Sequence, residues 1–203
     1  MKAIAILGAG GHGKVVADLA SLNGFTRIDF FDDKTKRGTM IGPWSVVGTV
    51  DDAFSQQSTY HSLIVGVGDN KTRAKLLERI PTQQRITLIH PTAVVSQYAR
   101  VGEGVVVLAG AIVNTFASVG NGVIINSGAI IEHDCEIRDY CHISPGAVVA
   151  GNVVVSEYSW IGANCSIRQG ITVGTNAITG MSAVVVKDVD DNSTVIGSPA
   201  KKQ

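Results

Sequence analysis

The sequence predicts a mixed fold, in which a small α/β domain of Rossmann type is followed by a parallel β-helix. Strands that alternate with helices up to about residue 90 predict the first part. A strict repeat of six residues predicts the second part. A glycine-rich turn after the first strand adds a candidate ligand site to the smaller domain.

The alternating part of the chain is typical of a small parallel sheet with helices packed on it. Apolar runs predict strands at residues 2–7, 26–31, 62–67 and 86–89, and helical spacing predicts helices at residues 14–22 and 71–79. A segment with glycine and proline, residues 38–48, separates the second strand from the third. The rhythm changes at His90-Pro91, so the predicted domains are residues 1–90 and 91–203.

The repeat places valine or isoleucine at every sixth position, fourteen times in succession. This period fits neither a helix nor a plain strand, and hexapeptide repeats indicate a β-helix. The residue four places after each aliphatic is mostly small or apolar, so both positions are expected to point inward. With three hexapeptides per triangular coil, the run to about residue 184 forms roughly five coils, each rising about 4.8 Å. The aliphatic positions are Val95, Val101, Val107, Val113, Val119, Ile125, Ile131, Ile137, Ile143, Val149, Val155, Ile161, Ile167 and Val173.

The composition argues against several classes of function. The 203 residues carry a formal net charge of zero, so no electrostatic argument favours nucleic acid or an anionic membrane surface. The apolar start is too short for a signal peptide, and no stretch approaches the length of a transmembrane helix. Cys135, Cys141 and Cys165 occupy the small inward position of the repeat, which predicts reduced core residues of a cytoplasmic protein.

The glycine turn is the candidate ligand site of the first domain. Gly8, Gly10 and Gly13 fit the pattern GxGxxG between a strand and a helix, where backbone amides face an anionic ligand. Asp32-Asp33 follow about twenty residues later, where a carboxylate can bind a ribose hydroxyl. NAD is the obvious ligand, but one half of a dinucleotide fold suits a mononucleotide diphosphate such as a UDP-sugar. Alternatively, the glycines only close a tight turn, and His12 contacts phosphate or sugar or caps the helix.

The repeat contains the candidate catalytic groups. Glu132, His133 and Asp134 occupy turn positions and are expected to point outward, and His142 follows half a coil later. A histidine beside a carboxylate can act as a general base at neutral pH, although an exposed histidine can also be a solvated turn residue. Trp160 lies one full coil after His142 and is expected to stack near it, bordering a cleft or packing against a neighbouring subunit.

A nucleophilic serine and a metal centre have little support. Ser127 and Ser144 lie near the histidines, but no GxSxG nucleophile elbow occurs. A zinc site of the kind found in β-helical hydratases needs three converging histidines. His90 lies outside the repeat, and His133 and His142 lack the required spacing, so no metal is expected.

Eight short motifs are spread over essentially the whole chain, at residues 8–18 (GAGGHGKVVAD), 31–33 (FDD), 67–70 (VGDN), 88–91 (LIHP), 130–135 (IIEHDC), 142–144 (HIS), 150–152 (AGN) and 197–201 (GSPAK). Taken together, these motifs resemble the bacterial nucleotide-sugar acetyltransferases of the PglD/NeuD type. The resemblance implies a left-handed β-helix, a homotrimer, acetyl-CoA in the cleft between adjacent β-helices, and a UDP-amino sugar held by the N-terminal domain.

The same resemblance implies roles for individual residues. His133 would be the general base, and Asp134 would raise its basicity, although some members have glutamate there. Asn126 would lie near the reacting groups as part of the substrate site, and His142 would contact acetyl-CoA near its thioester. Further acetyl-CoA contacts would come from Gly151, Ala163 and Met181. Contacts to the nucleotide sugar would come from Gly10, Gly11, His12, Asp32, Asp33 and Gly68.

Four functional hypotheses follow. The first is transfer of an acetyl group from acetyl-CoA to the 4-amino group of a UDP-4-amino-4,6-dideoxy-N-acetyl-hexosamine for glycan synthesis, with direct transfer and no covalent intermediate. The second is O-acetylation of sialic acid or another sugar. The third is a non-catalytic trimeric scaffold that binds a nucleotide sugar or NAD. An oxidoreductase rests on the GxGxxG pattern alone, and the short domain argues against it.

Overall fold

The computed structural model describes residues 2–203, which form two compact units that divide between Ile89 and His90. The mixed α/β and β-helical fold predicted from the sequence is confirmed. No helix among residues 2–203 is long and apolar enough to cross a membrane.

The first unit is built on a five-stranded sheet in the order β3-β4-β2-β1-β5, in which β3 and β4 form an antiparallel hairpin and the other neighbours are parallel. The strands of this sheet are β1 (Ala3–Leu7), β2 (Arg27–Phe31), β3 (Met40–Ile41), β4 (Trp44–Gly48) and β5 (Ser62–Val65), and the short strand β6 (Leu88–Ile89) lies outside it. The α-helices of this unit are α1 (Gly11–Leu22), α2 (Val50–Ser55) and α3 (Asn70–Arg79), and short 3₁₀ turns span Gln57–Thr59 and Thr82–Gln84.

The hairpin β3–β4 and helix α2 were not predicted from the sequence. Residues 38–48 contain glycine and proline at the hairpin turn, and β4 is stabilised by pairing with β2, a contact that no local pattern reveals. Helix α2 did carry a local signal, because Thr49 and Asp52 form a reciprocal capping box at its start.

Glycines allow α1 to approach the sheet closely. A Cβ atom on Gly13 would collide with the carbonyl oxygen of Gly8, and one on Gly66 would lie 2.8 Å from the Cα atom of Gly13. The third glycine of the GxGxxG pattern therefore serves helix packing. Gly10 and Gly11 have open space at the Cβ position and face a cavity instead.

The second unit is a left-handed β-helix with three parallel sheets, named here faces 1, 2 and 3 in chain order. Face 1 consists of β7 (Val94–Val95), β10 (Ile112–Val113), β13 (Ile130–Ile131), β16 (Val148–Val149), β19 (Ser166–Ile167) and β22 (Val184–Val185). Face 2 consists of β8 (Arg100–Val101), β11 (Ser118–Val119), β14 (Glu136–Ile137), β17 (Val154–Val155) and β20 (Thr172–Val173). Face 3 includes β9 (Val106–Val107), β12 (Ile124–Ile125), β15 (His142–Ile143), β18 (Trp160–Ile161), β21 (Ile178–Thr179) and β23 (Thr194–Ile196), with β24 (Lys201–Lys202) antiparallel to β23.

The six-residue rhythm fills the interior of the β-helix as predicted. The second residue of the central strands, such as Ile125, Ile131 and Ile143, is fully buried. The three cysteines are also buried and are free thiols. Burial raises the pKa of Cys135 and of Cys165, in keeping with their place among apolar side chains.

Candidate active site

His133 and Asp134 form the turn that joins face 1 to face 2 between β13 and β14. The His133 Nδ1 atom lies 2.8 Å from Asp134 Oδ2, and about half of each side chain is exposed. Asp134 has a left-handed backbone with φ 58°, a conformation that aspartate tolerates better than most residues. The backbone amide of Asp134 donates to the Thr115 carbonyl, and that of Asn152 donates to the His133 carbonyl, so the turn is held from both adjacent coils.

The contact with Asp134 determines what the His133 ring can do. An ionised carboxylate only accepts hydrogen bonds, so the hydrogen of the neutral imidazole resides on Nδ1. The Nε2 atom then carries the lone pair and can accept a proton from a substrate. The geometry of the pair is one that a general base with an orienting carboxylate would require.

Gly151 lies under the imidazole, one coil further along the same corner. A Cβ atom at this position would lie 2.6 Å from Cε1 and 2.7 Å from Nε2 of His133. The ring thus rests on backbone that carries no side chain. This contact was not predicted from the sequence, where Gly151 was assigned only to acetyl-CoA.

A second polar cluster lies on face 3. The Asn126 Nδ2 atom is 3.1 Å from His142 Nε2, and the Asn126 Oδ1 atom accepts a 2.9 Å hydrogen bond from the Ser127 amide. The predicted stacking of Trp160 on His142 is present, with ring centroids 5.7 Å apart and planes 3° from parallel. The indole Nε1 donates to Ser144 Oγ at 2.7 Å, a tether that the sequence analysis missed.

The two histidines lie on opposite sides of the triangular β-helix. His133 occupies the corner between faces 1 and 2, whereas His142 points outward from face 3, the side opposite that corner. The two side chains therefore face different sides of the β-helix within one chain. Half of an 18-residue coil carries the chain to the far side of the prism, so closeness in sequence becomes separation in space.

Of the other residues predicted to contact acetyl-CoA, one lies at the His133 corner and two lie at the corner between face 3 and face 1. Gly151 lies at the His133 corner. Ala163 and Met181 lie in turns at the corner that joins face 3 to face 1. Asn126 comes just before the corresponding turn of an earlier coil, at the same corner. Met181 is 78% exposed, which is unusual for a large apolar side chain.

The first unit contains a separate cavity of about 420 Å³ at the glycine turn. All six residues predicted to bind the nucleotide sugar line it, namely Gly10, Gly11, His12, Asp32, Asp33 and Gly68. Lys34 adds a positive charge to the same wall. The cavity therefore combines backbone at a helix N-terminus with a nearby cation, features that suit a phosphorylated ligand.

Asp32 and Asp33 also hold the cavity wall together. Asp32 accepts hydrogen bonds from the amides of Ala9, Lys34 and Thr35 at 2.7–2.9 Å. Burial opposes ionisation of Asp32, but these backbone amides stabilise its carboxylate, and the net effect lowers its pKa. Asp33 accepts from the Val50 amide at the start of α2. This structural role was not predicted from the spacing, which indicated only a ribose contact.

His12 is a neutral, partly buried side chain in the wall of the cavity. Burial, followed by the charge of Arg73, lowers the pKa of His12 to about 4. Its Nε2 atom is buried without a hydrogen-bond partner among residues 2–203. Helix α1 has Gly10 as its N-cap and no side-chain capping bond, so the alternative role of His12 as a helix cap is wrong.

No cluster of three or more histidine, cysteine, aspartate or glutamate residues that could hold a metal ion occurs in the described part of the chain. The site as it stands offers acid–base and hydrogen-bonding groups on the β-helix and a phosphate-compatible cavity in the first unit.

Family models match both units. The model described as the PglD N-terminal domain matches residues 3–80, and the bacterial transferase hexapeptide model, covering six repeats, matches residues 116–151. A curated relative, UDP-N-acetylbacillosamine N-acetyltransferase from Bacillus subtilis (strain 168), is 38% identical over 117 residues. That match covers 54% of this chain and spans about half, 52%, of the length of the relative.

Solved structures match over the full chain. The acetyltransferase domain of PglB from Neisseria gonorrhoeae FA1090, in complex with acetyl coenzyme A, is 40% identical with a TM-score of 0.95, covering 100% of this chain and 99% of that one. A mutant perosamine N-acetyltransferase from Caulobacter crescentus, in complex with CoA and GDP-perosamine, is 35% identical with a TM-score of 0.93, covering 100% and 97%.

Proposed function

The chain belongs to the family of acetyl-CoA-dependent sugar N-acetyltransferases that combine a PglD N-terminal domain with hexapeptide repeats, and from this premise we propose that it acetylates the 4-amino group of a nucleotide-linked 4-amino-4,6-dideoxy sugar. The preferred acceptor is a UDP-4-amino-4,6-dideoxy-N-acetyl-hexosamine. The product would serve glycan synthesis.

The observation that carries this proposal is the His133–Asp134 pair. The Nδ1 contact of 2.8 Å orients the ring, and Nε2 is the atom that can take a proton. An amine that attacks a thioester must lose a proton as the new bond forms, so a base with this geometry matches the chemistry. The acetyl-CoA held by the PglB acetyltransferase domain supports the choice of donor.

The reaction then proceeds by direct transfer. The amine nitrogen attacks the thioester carbonyl while His133 Nε2 takes its proton, and a tetrahedral oxyanion forms. Hydrogen-bond donors stabilise that charge. The carbon–sulfur bond breaks, and the proton on His133 passes to the departing CoA thiolate. Binding both substrates in one orientation contributes several kcal/mol of barrier reduction.

The cavity at the glycine turn is the proposed nucleotide-sugar site. Gly10 and Gly11 leave room for a diphosphate against the start of α1, and Lys34 offers a charge to it. His12 lines the same cavity, and its neutral ring suits a hydrogen bond to the ligand rather than an ion pair with phosphate. A GDP-linked amino sugar is the second candidate, because the Caulobacter relative binds GDP-perosamine.

Release of CoA thiol from acetyl-CoA tests the proposal against a panel of acceptors. The panel contains UDP-4-amino-4,6-dideoxy-N-acetylglucosamine, GDP-perosamine, sialic acid and UDP-N-acetylglucosamine, which lacks the 4-amine. We expect thiol release with an amino sugar and none with UDP-N-acetylglucosamine. Release with sialic acid alone would replace the proposal with O-acetylation, and no release with any acceptor would favour a scaffold.

We further propose that the active site forms between two copies of the chain within a homotrimer. The support is the opposite placement of His133 and His142, which cannot meet in one β-helix. Apposition of the His133 corner of one copy with face 3 of the next would unite both. A closed ring of three identical contacts satisfies this geometry for every copy.

Mixed trimers of two inactive variants test the shared site. His133→Ala and His142→Ala chains, co-expressed with different tags and purified through both tags, are expected to recover activity. An intact site arises where His133 comes from one chain and His142 from the other, and every trimer that carries both tags has one such contact among its three, about one third. The measurement is turnover relative to wild type, and about a third is expected.

The control replaces the His142→Ala chain with the doubly substituted His133→Ala, His142→Ala chain. Those mixed trimers contain no intact site and are expected to stay inactive. Doubly tagged His133→Ala and His142→Ala trimers without recovered activity would show that both histidines act within one chain, contrary to the proposal.

A further inference from the structure

The hydrogen bonds around Asn126 define the orientation of its carboxamide. The Ser127 backbone amide can only donate, and it lies 2.9 Å from Asn126 Oδ1. Oδ1 is therefore the acceptor end of the side chain. The opposite end, Nδ2, is an NH₂ group that can only donate, and it lies 3.1 Å from His142 Nε2.

This orientation determines the tautomer of His142. A nitrogen that accepts a hydrogen bond from an amide NH₂ group must carry a lone pair, so His142 Nε2 has no hydrogen. The neutral ring then carries its hydrogen on Nδ1.

Trp160 and Ser144 hold the plane of the same ring. The indole is nearly parallel to the imidazole, at 3°, and its Nε1 hydrogen bond to Ser144 Oγ is 2.7 Å long. Ser144 is only 5% exposed, so its hydroxyl has little freedom to move and holds the indole in place. The ring of His142 is thus restrained both in its plane and in the position of its hydrogen.

We infer that Asn126 is a positioning residue that keeps His142 in the Nδ1–H tautomer, so that His142 meets the thioester as a neutral hydrogen-bond donor and proton abstraction is left to His133. The tautomer follows from the contacts around Asn126. The donor role rests on the proposed acetyl transfer. Asn126 then acts through His142, in addition to or instead of touching the sugar.

The two histidines would thereby have different roles, His133 as the base and His142 as a hydrogen-bond donor. His133 has Nδ1 bonded to a carboxylate and a lone pair on Nε2, which suits a base. His142 has its Nε2 lone pair engaged by Asn126, so the ring can offer a hydrogen to a carbonyl oxygen but cannot take a proton through Nε2. A neutral donor to the developing oxyanion is worth about 10²- to 10³-fold in rate in comparable sites.

Nitrogen NMR of the histidine rings tests the tautomer without reference to activity. The full-length protein, labelled with ¹⁵N-histidine, contains five histidines, and the His142 signals are assigned by comparison with His142→Gln. We expect a protonated Nδ1 and a bare Nε2 on His142. A protonated Nε2 in the wild-type protein at neutral pH would overturn the inference.

Asn126→Asp is the decisive variant, because it changes the donor end of the side chain into an acceptor of the same shape. We expect the hydrogen of His142 to move to Nε2 and turnover to fall about 10²-fold. Asn176→Asp is the matched control, since it makes the same change at a partly exposed corner of the β-helix, where the side chain contacts Asn192. It should leave the His142 signals and the turnover unchanged.

The outcomes separate the two parts of the inference. An unchanged His142 tautomer in Asn126→Asp would show that Asn126 does not control the ring. A reversed tautomer with wild-type turnover would remove the donor role. If no acceptor supports CoA release, the proposed acetyl transfer fails while the NMR result still decides the tautomer.

Discussion

Replacing His133 with alanine is expected to lower the turnover number about 10²- to 10⁴-fold, the range found when a general base is removed. The loss should appear in kcat with little change in the KM for acetyl-CoA, because the proposed role of Nε2 is to take the proton of the amine. About half of the His133 side chain is exposed, so thermal stability and oligomeric state should change little. Steady-state CoA release and size-exclusion chromatography provide the measurements.

Gln169→Ala is the matched control for His133→Ala. Gln169 is exposed at the same turn position two coils further along the corner, so its truncation changes the surface without touching the base. It should retain wild-type turnover. A correctly assembled His133→Ala protein with wild-type turnover would exclude His133 as the base.

Gly151→Ala is expected to lower turnover about 10²-fold while the protein remains folded. The added Cβ would lie 2.6 Å from Cε1 and 2.7 Å from Nε2 of His133, and the partly exposed ring can swing away from it into solvent. Folding therefore tolerates the methyl group, but the base leaves its position. A displacement of about 1 Å can cost 10²-fold in rate.

The double variant His133→Ala, Gly151→Ala distinguishes this effect from a direct contact of Gly151 with acetyl-CoA. If Gly151 acts by seating the imidazole, adding Gly151→Ala to His133→Ala causes no further loss, because the two changes are strongly non-additive. A second loss of similar size in the double variant, accompanied by a higher KM for acetyl-CoA, would assign Gly151 to cofactor binding instead.

The sequence predicted the fold with local signals that do not depend on distant partners. The six-residue period separates inward from outward side chains, and Ile125, Ile131 and Ile143 are buried accordingly. The strand–glycine turn–helix order located the cavity in the first unit. The hairpin β3–β4 escaped prediction because pairing with β2 stabilises it from outside its own segment.

Some side-chain contacts of the candidate active site could be predicted from the sequence, and others could not. His133 and Asp134 are neighbours in the chain, so their contact could be anticipated. Stacking of Trp160 on His142 could also be anticipated, because the residues are 18 positions apart and the strands pair in that register. Gly151 is also 18 positions from His133, but its contact with the imidazole depends on which way the His133 side chain turns above the next coil.

The sequence by itself determined that this chain has a strand–glycine turn–helix unit, a β-helix and an exposed histidine–carboxylate pair, because periodicity and adjacency are properties of the chain. Only the tertiary structure decided that His142 faces away from His133 and that Asn126 orients its ring. The physical reason is that these relations depend on how an 18-residue coil turns its corners and on which backbone amides each side chain meets in the adjacent coils.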